Sequence, residues 1–89
     1  MIESEVTIVN RLGLHARAAA KFVHLASSYA SRVTVSRDGT RVDGKSILGL
    51  LTLAAAKGTK LHFAISGEDE TEAAAKLSEL VRSRFGEAE

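Results

Sequence analysis

His15 and Arg17 stand two residues apart, where the loop Asn10-Arg11-Leu12-Gly13-Leu14 gives way to Ala16-Arg17-Ala18-Ala19-Ala20-Lys21-Phe22-Val23, a run of helix formers. The start of a helix exposes unpaired N–H groups and partial positive charge, so it favours a phosphate or a carboxylate. An imidazole set there beside a guanidinium can carry a phosphoryl group covalently. The helix terminus and Arg17 both disfavour the imidazolium, which leaves a neutral ring with a free lone pair. The same groups stabilise the dianion once it is attached, and an N–P bond has enough transfer potential for the group to be passed on.

Other chemistries fit these residues less well. A hydrolase would need a serine or cysteine nucleophile and an orienting carboxylate near His15, and neither is close in sequence. A metal site would have to draw on His24 and His62, since the chain has no cysteine. Nine residues at about 100° each put His24 half a turn around a helix from His15, and His62 lies on a remote segment. No metal and no cofactor is expected. The residues alone leave two readings open for His15, a helix cap and a nucleophile.

Asp43-Gly44-Lys45-Ser46 leads into Ile47-Leu48-Gly49-Leu50-Leu51 in the same manner. Ser46 is placed to cap that helix, and it is also a hydroxyl on which a phosphate would sit at a helix start. Ile47, Leu48, Leu50, Leu51 and Leu53 are too many apolar residues for one buried stripe. Either that helix is buried throughout, or it shows an apolar patch to a partner.

The elements that must hold these junctions follow from periodicity. Glu5 to Val9 alternates as a strand with Val6 and Ile8 on one face, and Gly13 permits a positive φ in the loop beyond. Ala16 to Ser27 reads as a helix burying Ala19, Phe22, Val23 and Ala26. Arg32 to Arg37 is a second strand, and Asp38-Gly39 turns it back through Thr40-Arg41-Val42. A short helix runs from Ile47 to about Leu53, a strand from Lys60 to Ser66, and a last helix from Glu70 to Phe85 with Ala74, Leu77, Val81 and Phe85 inward. The order β-α-β-β-α-β-α predicts an α+β fold, an open-faced sandwich with a four-stranded antiparallel sheet covered by three helices on one face.

Eighty-nine residues allow one domain, spanning 1–89. A net charge of +1 argues against general nucleic-acid binding, and an aromatic content of 4% leaves no stacking platform. No stretch is long and apolar enough for membrane insertion, and the first residues are unlike a signal peptide, so the cytoplasm is the expected location. Arg11, Arg17, Lys21 and Lys45 flank the two junctions, while Glu68, Asp69, Glu70 and Glu72 gather elsewhere.

The stretch NRLGLHARAAAKFV resembles the active-site segment of the HPr family, the histidine-containing phosphocarriers of the bacterial phosphoenolpyruvate-dependent phosphotransferase system, and GKSILGLLTLAAAKG resembles that family's serine segment. Their spacing, the element order and the length agree as well. The resemblance implies that enzyme I phosphorylates His15 on Nδ1, that Arg17 assists, and that an EIIA-type protein takes the group. It implies that an HPr kinase/phosphorylase modifies Ser46 in some bacteria, and that Ile47, Leu48 and Leu51, with Lys21 and Lys45 beside them, meet partners of a monomeric carrier. Family members usually carry proline where this chain has Ala18, and methionines in the docking helix are here Leu48 and Leu51. The lead-in and the Leu-Leu-Thr-Leu run look more like the nitrogen-related branch, NPr, than the sugar-transport branch. A non-catalytic interaction module of the same fold is the alternative, although such paralogues typically lose the histidine.

Overall fold

The computed structural model describes residues 1–89. Strand β1 (Ile2–Thr7), helix α1 (Ala16–Ser27), strands β2 (Arg32–Arg37) and β3 (Thr40–Asp43), helix α2 (Ile47–Thr52), strand β4 (Lys60–Ser66) and helix α3 (Glu70–Arg82) follow in that order. A 3-10 turn, Arg84–Gly86, closes the set. The sheet order is β1-β4-β2-β3 and every pairing is antiparallel. Three helices cover one face, giving the open-faced sandwich that the element order predicts.

Alternation explains which face is covered. Leu61, Phe63 and Ile65 of β4, Val33 and Val35 of β2, and Val6 of β1 point inward, with Ile8 just beyond β1, and all are buried. They meet Ala19, Phe22 and Ala26 of α1 and Ala73, Leu77 and Val81 of α3 in one apolar cluster. The rings of Phe22 and Phe63 lie 5.4 Å apart at 59°, a tilted contact that pins α1 over the middle of the sheet. The opposite face is polar, and there His62 of β4 meets Glu3 of β1 at 2.9 Å.

Three boundaries differ from the sequence reading, each for a local reason. β1 spans Ile2–Thr7 rather than Glu5 to Val9, pairing from Ile2 opposite Ile65 to Thr7 opposite Lys60. Ser4 occupies an inward position and hides the apolar alternation at that end. Helix α2 stops at Thr52, and Leu53 is its C-cap, buried while lying outside the helix. Helix α3 ends at Arg82 instead of running to Phe85. Arg84 and Phe85 then take left-handed backbone conformations, φ 61° and 54°, so Phe85 reaches the core through a sharp turn. That turn sends the last residues back toward the start of α1.

Candidate functional site

Gly13 sets the entry to α1. Its φ is +68°, and a Cβ there would stand 2.5 Å from the carbonyl oxygen of Ala55, so only glycine fits both the backbone and the space. The neighbouring Leu14 N–H donates to Ala55 O at 2.8 Å, which ties the loop to the segment after α2. Asn10, fully buried, braces the loop from within: its Nδ2 donates to Gly13 O at 2.8 Å.

His15 follows as the N-cap of α1, with extended backbone (φ −81°, ψ 178°). Its side chain makes no capping hydrogen bond. The first intrahelical bond runs from Ala19 N to His15 O at 2.8 Å, so the amides of Ala16, Arg17 and Ala18 have no helical acceptor. Of the two readings left open for His15, the ring therefore does not act as a cap. Ala18 lies buried in the first turn of α1.

The ring turns instead toward the end of the chain, where its Nε2 meets Oε2 of Glu87. Glu87 Oε1 accepts a second hydrogen bond from Asn10 Nδ2 at 3.0 Å. Hydrogen bonding to His15 and then to Asn10 holds the Glu87 carboxyl below its usual value, against an opposing desolvation effect. Arg11, Leu12, His15 and Arg17 line a shallow cleft of about 220 Å³ with Glu87, Ala88 and Glu89. Arg17 is exposed there and forms no ion pair.

Ser46 takes the cap position expected of it, its Oγ accepting from Gly49 N at 3.0 Å. Helix α2 is not buried throughout: Leu50 is 1% exposed, whereas Ile47 is 40% and Leu48 77% exposed, and Leu51 is half-buried. An apolar patch therefore faces outward beside Ser46. The two lysines serve the scaffold too. Lys21 Nζ donates to Phe85 O at 2.7 Å, and Lys45 Nζ donates to Tyr29 O at 2.8 Å.

Glu87 and Asn10 are the members of the site that the motif reading passed over. Glu87 lies 72 positions from His15, and its only sequence signal is an acid following Gly86, where the last helix was expected to stop. Asn10 reads from sequence only as a loop residue, although a polar side chain between Ile8 and Leu14 is a candidate for a buried brace.

A small open-faced α+β sandwich presenting an uncapped histidine at a helix start, with an arginine two residues on, defines the class of histidine phosphocarriers. Residues 2–83 match the family model described as the PTS HPr component phosphorylation site. The phosphocarrier protein HPr of Pseudomonas aeruginosa is 55% identical over 86 residues, covering 96% of each chain. The HPr-C-His structure from Thermoanaerobacter tengcongensis superposes with a TM-score of 0.96 at 40% identity, covering 100% of both chains. A structure of an HPr dimer from the same organism gives 0.78 at 41% identity, covering 98% of this chain and 100% of that one. The chain belongs to the HPr family of phosphotransferase-system phosphocarriers.

Proposed function

We propose that His15 receives a phosphoryl group from phosphorylated enzyme I, itself charged by phosphoenolpyruvate, and hands it to an EIIA-type protein. The observation that carries this reading is the uncapped His15 ring at the start of α1, beside amides without helical acceptors. Arg17 lines the same cleft and pairs with neither Glu87 nor Glu89 there, so its guanidinium is available to a phosphoryl oxygen. Incoming phosphoryl bonds to a ring nitrogen as its bond to the donor breaks, and the departing electron pair stays with the donor. In this reading the carrier works as a single copy. The cytoplasm, where phosphoenolpyruvate is made, is the expected place of action.

Incubation with enzyme I, Mg²⁺ and phosphoenolpyruvate should yield an acid-labile, base-stable phosphate on His15. Absence of label under conditions that charge a known carrier would remove the reading. A non-catalytic interaction module is the alternative, and the presence of both His15 and Arg17 speaks against it.

Ser46 fits a regulatory role in the same cycle, as substrate of an HPr kinase/phosphorylase. Its support is the placement of its hydroxyl at the cap of α2, immediately before Ile47 and Leu48, the exposed apolar residues on which enzyme I would dock. Leu51, Lys21 and Lys45 complete the proposed docking surface.

A further inference from the structure

We propose that Glu87 is a positioning residue for phosphoryl transfer: its carboxylate holds the Nε2–H of His15 and leaves Nδ1 as the nitrogen that accepts the group. The inference rests on the phosphocarrier reading and adds to it the group that orients the ring. A neutral imidazole has one N–H and one lone pair, and whatever hydrogen-bonds one nitrogen decides the chemistry of the other. Here Nε2 faces Glu87, while Nδ1 has no hydrogen-bond partner in the protein. The carboxylate can only accept, so when the ring is neutral its one proton sits on Nε2 and the lone pair is on Nδ1.

Three observations make Glu87 a fixed support and not a passing surface contact. Its second oxygen is held by Asn10, whose side chain is fully buried and also braces Gly13. Its approach is set by the left-handed turn at Arg84 and Phe85, anchored by the buried Phe85 ring and by Lys21 on the Phe85 carbonyl. Its carboxyl is held in the ionised form by these hydrogen bonds, with His15 the largest contributor. The same Asn10 thus links the loop that carries His15 to the acid that orients it.

The step balances without moving a proton. The Nδ1 lone pair forms the new N–P bond while the donor's bond to phosphorus breaks and its electron pair returns to the donor. The Nε2 proton stays where it was, and the ring becomes an N-phosphoryl imidazolium whose positive charge faces Glu87. When an acceptor takes the phosphoryl group, the neutral ring returns in the same tautomer, ready for the next cycle.

Phosphoramidate, a small phosphoryl donor that needs no partner protein, provides the test. The unaltered chain, Glu87→Ala and Glu87→Gln are reacted with it, and phosphorus-31 NMR reads which nitrogen of His15 carries the group. The unaltered chain should carry it on Nδ1. Glu87→Ala should raise the ratio of Nε2 to Nδ1 product by about tenfold or more, the scale a charge-assisted hydrogen bond supports. Glu87→Gln keeps an acceptor oxygen and should restore most of the Nδ1 preference, which a merely structural role for the tail would not require. The same ratio in Glu87→Ala as in the unaltered chain, or Nε2 product in the unaltered chain, would overturn the assignment. Labelling on Nδ1 by phosphoramidate without labelling by enzyme I would instead overturn the phosphocarrier reading and leave the role of Glu87 standing.

Discussion

Lys21 donates its Nζ to the carbonyl oxygen of Phe85 at 2.7 Å, and so fastens the end of the chain to the helix that begins at His15. The bond sits at the left-handed turn that aims Glu87 at the ring. Replacing Lys21 by methionine keeps most of the aliphatic stem and removes the donor. The amides of Gly86 and Glu87, bonded to Ser83 O and Arg84 O, should then exchange with solvent faster, about tenfold for a loss near 1.4 kcal/mol. Hydrogen exchange followed by NMR reads this directly, and unchanged protection at both amides would show that the turn holds without Lys21.

Gly13→Ala should be the most damaging single change near the site. It forces a Cβ to 2.5 Å from a backbone oxygen at Ala55 and places a non-glycine residue at φ +68°. Neither neighbour is a flexible side-chain tip, so the loop must move. A loss of about 2–3 kcal/mol is expected, read from urea unfolding, together with slower labelling of His15 in the remaining folded protein. An unfolding midpoint equal to that of the unaltered chain would mean the loop has slack that the close approach to Ala55 does not suggest.

Arg17→Ala should fold normally, because the side chain is exposed and makes no ion pair. Phosphoryl exchange with both partners should slow. Loss of a charge-assisted contact costs about 1.5–3 kcal/mol, roughly ten- to a hundredfold in rate if it is fully expressed in the transition state. Rapid-quench transfer assays in the two directions measure it, and equal rates would take Arg17 out of the mechanism.

The His15–Glu87 contact has a pH signature. Because the Glu87 carboxyl is held below its ordinary value of 4.5, its contribution to stability is fully present above that value. It is lost as pH falls through the lowered value, so acid releases the tail. In His15→Ala the largest cause of the shift disappears, and the carboxyl should titrate closer to 4.5. Carbon-13 titration of Glu87 in the two proteins tests this, and superimposable curves would argue that Asn10 alone sets the shift.

Most of the fold is legible because its apolar residues keep period. α1, β2 and β4 have the limits that alternation and the 3.6-residue stripe assign them, and Asp38-Gly39 forms the turn with both φ values positive (49° and 85°). Ser4 broke the period in β1. The end of α3 misled for the opposite reason: Phe85 keeps the i+4 phase of Val81 and is buried, so the pattern continues although the backbone has left the helix. His15, Arg17 and Ser46 could be singled out because each follows from local spacing. Glu87 could not, since its partner is 72 positions away and only the turn at Arg84 and Phe85 brings the two together.

Ser46→Asp separates a cap from a switch. In the unaltered chain Ser46 Oγ accepts from Gly49 N at 3.0 Å, a bond that an aspartate oxygen can also accept, and negative charge suits a helix start. The fold should therefore keep its melting temperature. The effect should fall on the partner surface, because the added charge stands beside Ile47 and Leu48, which are 40% and 77% exposed. Burying that patch under enzyme I would desolvate the new carboxylate and set it against acidic groups drawn to Arg17 and Lys45, so docking weakens. Labelling of His15 by enzyme I should slow, with the loss appearing in the apparent affinity for enzyme I. Labelling by phosphoramidate should be unchanged, since the His15 ring itself is untouched. Ser46→Ala should accept phosphoryl normally and lose about 1 kcal/mol of stability with its cap. Equal rates of enzyme I labelling for Ser46→Asp and the unaltered chain would leave Ser46 a cap and nothing more.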